Sequence, residues 1–269
     1  MKILAQVALA LLLGSAAHAA ETANPLTDSD SWQAIRADVA GDIQISEAGD
    51  LFEVVAPYRA SHAAAVPVTI RQTDPSARIT GATVVIDENP SPVAAEFTFG
   101  EAMLPLDLEM RVRVNQYSNV RVLAETDAGT FMDGRFVKAS GGCSAPATRD
   151  PEEALASMGE MRLRLFGKDE TGAMSMPRRE AQVMIRHPNY SGLQRNQITH
   201  LFIAAHFLDQ IEVLQGDELL FRMTGGISIS ENPVFRFSYA DNGTEALTVR
   251  AHDTDGNWFE EVLPKDQQS

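Results

Sequence analysis

The chain has 269 residues, with 22 lysines and arginines against 37 aspartates and glutamates, for a formal charge of -15 at neutral pH. That balance argues against nucleic acid as a partner, because phosphate contacts need clustered Lys and Arg. Only 1 cysteine is present, which excludes an internal disulfide, and the length suits two domains of ordinary size.

Lys2 precedes an apolar run over residues 4–13, and small residues then lead to Ala17-His18-Ala19-Ala20. A short charged start, an apolar core and an Ala-x-Ala site make a secretory signal peptide over 1–20, which predicts an exported protein. The apolar run is shorter than the roughly 20 residues a membrane span needs. No later segment is long and apolar enough, so no span is expected in the mature chain. Residues 21–42 read as a helical opening. Asp30 or Ser31 is placed to cap the helix, and Trp32, Ile35 and Val39 lie near helical spacing to dock on a domain.

From 43 to 139 the pattern changes to strands. Val66, Val68 and Ile70 share a face, 79–86 is rich in β-branched residues, and Leu108, Met110, Val112 and Val114 alternate with Glu109, Arg111 and Arg113. Val120, Val122 and Ala124 follow, and then the run 131–137. Turn chemistry lies between them, at Asp87-Glu88-Asn89-Pro90, Asn115-Gln116-Tyr117-Ser118, Asp127-Ala128-Gly129 and Asp133-Gly134. Short strands at close intervals predict a β-sandwich or barrel.

The linker 140–158 is different. Ser140-Gly141-Gly142-Cys143-Ser144-Ala145-Pro146 consists of small residues, which predicts an exposed, mobile loop. Asp150-Pro151-Glu152-Glu153 then reads as a capped start to a short helix. A second strand-rich block spans 159–265. Met161, Leu163 and Leu165 alternate, an apolar stretch covers 201–208, and Gln215-Gly216-Asp217 reads as a hairpin turn. Phe235, Phe237 and Tyr239 share a face, as do Leu247, Val249 and Ala251. The fold class expected is all-β: two sandwiches in tandem, with a short N-terminal helix and a short interdomain helix.

Cys143 is the most informative residue. A lone cysteine in an exported chain is a free, reactive or intermolecularly paired thiol. Gly141 and Gly142 supply a hinge, and four residues past Ala139 give about 14 Å of reach. In sequence, the nearest cations are Lys138 and Arg149, so nothing local lowers the thiol pKa strongly. The histidines give no hydrolase or metal spacing. His200 and His206 could share a strand face, but their neighbours Leu201, Phe202, Ile203 and Phe207 point to a core or interface role. His187 precedes Pro188 at a loop entry. No catalytic residue, metal ligand or cofactor is assigned, and an enzyme is not expected. Asn89-Pro90 and Asn232-Pro233 both precede aromatic strands. Each reads as a turn, or more weakly as a sign that the halves share an architecture.

Several motifs in the first half resemble SoxY, the cysteine-bearing subunit of the SoxYZ sulfur carrier: Val66-Pro67-Val68, Glu88-Asn89-Pro90-Ser91-Pro92, Met110-Arg111-Val112-Arg113, Ser118-Asn119-Val120-Arg121 and Gly141-Gly142-Cys143. Others in the second half resemble SoxZ: Arg186-His187-Pro188, Ser191-Gly192-Leu193, Ala205-His206-Phe207, Gly226-Ile227-Ser228, Ser230-Glu231-Asn232-Pro233 and His252-Asp253-Thr254-Asp255-Gly256. The fusion is similar to the SoxYZ-like carriers associated with quinoprotein dehydrogenases. The resemblance implies immunoglobulin-like sandwiches, a periplasmic location and sulfur intermediates held covalently on Cys143. It implies as partners periplasmic sulfur-oxidising enzymes, c-type cytochromes or a quinoprotein dehydrogenase. The family arm ends Gly-Gly-Cys-Gly-Gly at a free chain end, whereas Cys143 is followed by Ser144-Ala145-Pro146 and a second domain. The alternative is an accessory module for a quinoprotein dehydrogenase or its cytochrome, with no sulfur-carrier role.

Overall fold

The computed structural model describes residues 23–146, 151–166 and 178–266. The leader expected over 1–20 and the cap expected at Asp150 lie outside these residues. Helix α1 (Asp30–Ala40) starts one residue before the reading from sequence: the Ser29 hydroxyl accepts the Trp32 N–H at 3.0 Å. Gly41, at φ 57°, ends it. The helix lays Trp32 and Ala40 on Val85 and Leu123.

The first half supplies β1 (Ile45–Glu47), β2 (Phe52–Val55), β3 (Val66–Gln72), β4 (Ile79–Ile86), β5 (Val93–Phe99), β6 (Asp107–Val112), β7 (Ser118–Thr126) and β8 (Gly129–Val137). After helix α2 (Pro151–Ala156), the second half supplies β9 (Met161–Phe166), β10 (Arg178–Ile185), β11 (Leu208–Gln215), β12 (Glu218–Gly225), β13 (Val234–Ala240), β14 (Ala246–Asp253) and β15 (Trp258–Pro264). The all-β class and the two short helices agree with the sequence. Alternation sets most strand faces: in β3, Val66, Val68 and Ile70 are buried, while Pro67 and Arg71 are exposed. Strand β7 breaks this rule, with Ser118 through Ala124 all buried, because the core covers one face and α1 covers the other.

The two halves are joined strand to strand. One sheet runs β1-β8-β7-β4-β5-β12-β11-β14-β15, and the facing sheet runs β2-β3-β6-β13-β10-β9. Strand β5 pairs antiparallel with β12, placing Phe97 opposite Met223, and β6 pairs with β13, placing Met110 opposite Phe235. Both sheets therefore cross the seam, and one apolar core crosses with them. Phe97 meets Phe221 and Phe235 edge-on, with ring centroids 6.1 and 6.4 Å apart.

Two expected local features are corrected. Asp133-Gly134 is not a turn but lies inside β8. A Cβ on Gly134 would stand 2.5 Å from the Val120 carbonyl, so the glycine serves close strand packing. The apolar stretch 201–208 is not a strand: only Leu208 enters β11, and Leu201 and Phe202 are 69% and 63% exposed.

Candidate functional site

Where β6 ends at Val112, the chain leaves the sheet and runs along the seam. The Arg113 N–H donates to the Ser228 carbonyl at 2.7 Å, and the Val114 N–H to the Ala63 carbonyl at 2.8 Å. The cysteine segment lies against this edge. Gly141 N–H donates to Asn115 O at 2.8 Å, and Gly142 N–H to Val114 O at 3.0 Å. Asn89 braces the edge from below. Its Nδ2 donates to Arg113 O at 2.7 Å and to Ser228 Oγ at 2.9 Å, and its Oδ1 accepts the Asn115 N–H at 2.8 Å.

The second half closes over the same segment. The Ser191 hydroxyl donates to the Cys143 carbonyl at 2.5 Å, and Gln194 Nε2 donates to Ala145 O at 3.0 Å. The other end of the Gln194 amide accepts the Ser191 N–H at 3.1 Å, so one side chain ties loop and arm together. Cys143 is fully buried.

This corrects the expectation of an exposed, mobile loop. Gly142 and Cys143 are buried, and exposure resumes only at Ser144. In this position Gly142 is not a free hinge. A Cβ there would lie 2.2 Å from Ala63 O and 2.6 Å from Val114 O, so its missing side chain is what lets the arm dock. Gly141 does take a left-handed turn, at φ 77°.

The alternation along the strand predicts an outward Arg113, which is instead buried at 1% exposure. It has left the strand, so the alternation no longer governs it. Its guanidinium donates to Ile229 O at 3.2 Å, Gly142 O at 3.3 Å and Asn189 O at 3.1 Å, clamping the arm to both halves. Burial lowers its pKa, and Cys143 and Glu231 oppose that shift. Burial pushes the Cys143 thiol up to about 11, and the Arg113 charge partly offsets this. The docked thiol is therefore protonated and unreactive at neutral pH. The cation that tunes Cys143 stands thirty positions away in sequence, which is why the sequence neighbours Lys138 and Arg149 did not reveal it.

Beneath the dock, three segments bring His187, His206 and Asp253 together, with one ligand-type atom from each within 4.8 Å of the others. The sequence spacing showed no such cluster. His206 is half-buried beside Asp253, whereas His200 is exposed at φ 57°, so the two do not share a strand face. Burial first, and then His206, lower the His187 pKa to about 4. Burial alone would raise the Asp253 carboxyl, but hydrogen bonds from Asn257 and His206 outweigh it and hold the group well below the usual range. A separate crevice on the outer face of the six-stranded sheet is lined by Arg71, Asp107, Glu109, Glu180 and Arg236. It involves none of the residues that hold Cys143, and its charges pair with one another, as Arg71 does with Asp107.

A search of curated proteins gave no match to the chain. The solved structure of the sulfur carrier protein SoxY from Chlorobium limicola f thiosulfatophilum is similar at 26% identity, covering 41% of this chain and 97% of that one, with a TM-score of 0.34. The family model for sulfur oxidation protein SoxY matches residues 36–143, ending on the cysteine, and that for sulphur oxidation protein SoxZ matches residues 171–264. Together the two models span most of the chain, which thus belongs to the SoxY and SoxZ families as a fused SoxYZ-like carrier of sulfur oxidation.

Proposed function

We propose that this protein is an exported, non-enzymatic carrier that holds sulfur intermediates covalently on Cys143 Sγ and presents them to periplasmic partner enzymes. One observation carries the reading: the SoxY match ends on the only thiol of the chain, and that thiol lies on a segment held at the seam by reversible hydrogen bonds. Among the described residues no histidine interacts with Cys143 to activate it, and burial keeps it protonated. The chemistry therefore belongs to partners.

Loading then needs the arm to leave its dock. Joining Sγ to a sulfur of a thiosulfate-type cargo forms an S–S bond and releases the thiol proton and two electrons. A redox partner such as a c-type cytochrome would take the electrons. A hydrolytic partner would remove the oxidised end of the cargo. When the arm returns, an anionic adduct would be near the Arg113 guanidinium, the one charge already placed to interact with Sγ.

Exposed apolar side chains flank the dock. Leu193, Ile198, Leu201 and Phe202 sit on the loop that includes Gln194, with Ile198 84% exposed. A partner that accepts the arm must pass over this loop, and the acidic chain suits a partner with a basic rim. The export part of the reading rests on the leader pattern of residues 1–20. N-terminal sequencing of periplasmic material should begin at Ala20 or Glu21, and a start at Met1 would refute it. The carrier part is tested by the intact mass of protein purified without reductant.

A further inference from the structure

The second half contains a group of side chains that the carrier reading does not use. His187 Nε2 is fully buried and has no hydrogen-bond partner. A buried orphan nitrogen is costly unless something is missing beside it. The other ring nitrogen shows its state. Asn189 has a fixed amide: its Nδ2 donates to Ser230 O at 3.0 Å, and its Oδ1 accepts the Leu208 N–H at 3.0 Å. That Oδ1 lies 2.7 Å from His187 Nδ1. Two acceptors do not approach so closely without a proton between them, so the network assigns the proton to Nδ1. The Asn189 N–H also approaches Nδ1, at 3.1 Å, but this longer contact is the one that gives way.

Nε2 is therefore a bare lone pair, 3.5 Å from the Asp253 Oδ2 carboxylate oxygen. A lone pair facing an anion in a buried site calls for a cation. His206 Nε2 is 2.9 Å from the same Oδ2 and 3.5 Å from Asp255 Oδ2. These three separations bracket the ~3.3 Å between ligand atoms around a tetrahedral ion bound at about 2.0–2.1 Å, and the whole His187, His206 and Asp253 set lies within 4.8 Å, so the ligands draw together on binding. The Asp253 carboxylate is oriented by N–H groups of Asp255 and Asn257 and by Asn257 Nδ2, at 2.9–3.0 Å. The hydrogen bond from His187 Nδ1 to Asn189 Oδ1 is the kind that orients a metal-binding imidazole.

We propose that His187 Nε2, His206 Nε2 and Asp253 Oδ2 bind one divalent transition-metal ion of the zinc type, with the exposed Asp255 carboxylate as fourth ligand at the mouth. The donor set, two imidazoles and two carboxylates, suits Zn²⁺ and its first-row neighbours over Mg²⁺ or Ca²⁺. Binding displaces the proton from His206 Nε2, whose imidazole then carries it on Nδ1. The ion would tie together the segments around His187, His206 and Asp253. The first of these continues into Asn189 and Ser191, which hold the Arg113 and Cys143 contacts. The site stands whether or not Cys143 carries sulfur.

The test uses the full, untagged chain bearing Cys143→Ser, so that no thiol can bind metal. The protein is stripped with a chelator, loaded with Zn²⁺ and dialysed, and its metal content is measured. A Co²⁺-loaded sample is examined by visible absorption. One equivalent of Zn²⁺ should be retained, with a raised Tm and an intense tetrahedral Co²⁺ spectrum. His206→Gln, on a half-buried ring, should keep the fold and weaken binding at least tenfold. Asp253→Asn should do the same if it folds, and His206→Gln decides the matter if it does not. Failure to retain Zn²⁺, or equal retention by His206→Gln, would overturn the proposal.

Discussion

At Cys143 two opposing influences act on one sulfur. Burial disfavours the thiolate, the Arg113 guanidinium favours it, and burial wins, leaving the pKa at about 11. Docking thus stabilises the protonated thiol. Its contribution is complete below the ordinary thiol pKa near 9 and is lost as pH rises from there through about 11. Alkylation of native protein should accordingly be slow at neutral pH and rise steeply across that window. Gly142→Ala places a Cβ against Ala63 O and should expel the arm. The thiol would then titrate as an exposed one, and alkylation at pH 7.5 should quicken by roughly tenfold to a hundredfold, following the thiolate fraction. An unchanged rate in Gly142→Ala would mean that the arm is not docked in solution. Cys143→Ser should cost only about 1 kcal/mol, because the arm can leave its dock without unfolding the sheets. Cys143 stood out in the sequence as the only cysteine. Its burial was not, because small residues read as loop, and only the fold reveals that Gly142 is small to fit beneath Ala63.

Between the elements, the seam does the positioning. Loops from both halves meet the arm, and their anchors are asparagines that begin Asn-Pro turns. Asn89 braces the edge at Arg113 and Asn115, while Asn232 exchanges hydrogen bonds with His187, its Oδ1 accepting at 3.2 Å and its N–H donating at 2.9 Å. Strand faces could be read from alternation in β3, β13 and β14, where period two survives. Arg113, the break of β7 and the loop at 201–207 could not, because each is set by what covers it from outside its own segment. On that loop, Phe202 stacks under the Arg195 guanidinium, at 4.6 Å, and is 63% exposed. Ile198→Asp together with Phe202→Asp should leave the unfolding free energy within about 0.5 kcal/mol of the parent, as surface changes do. The same pair should lower the rate of cargo transfer to or from a partner enzyme. Undiminished transfer would remove the loop from the docking surface.

Across the whole molecule, the two family matches correspond to two halves whose sheets are continuous. Strands β5 and β6 would become open edges if the halves parted, and the aromatic cluster of Phe97, Phe221 and Phe235 would lose one side. Calorimetry should therefore show one cooperative transition for the full chain. Residues 23–146 expressed alone should aggregate or melt much lower. Two separated transitions would show independent modules instead. The tandem all-β class was visible from turn spacing, but the pairing across the seam was not, since alternation says which residues face inward and not which strand lies alongside. Fusion also fixes the arm at both ends, so movement of Cys143 is bounded by the chain on either side and by the dock between them.

The most direct measurement is the intact mass of the mature protein, isolated from cells oxidising a reduced sulfur compound and kept free of reductant. The expected spectrum contains a sulfur-bearing adduct that maps to Cys143, is removed by reductant when held as a persulfide or disulfide, and is missing from Cys143→Ser. A chain that carries only the free thiol under those conditions, or a Cys143→Ser variant that still sustains the oxidation in full, would contradict the carrier and leave the accessory role in its place.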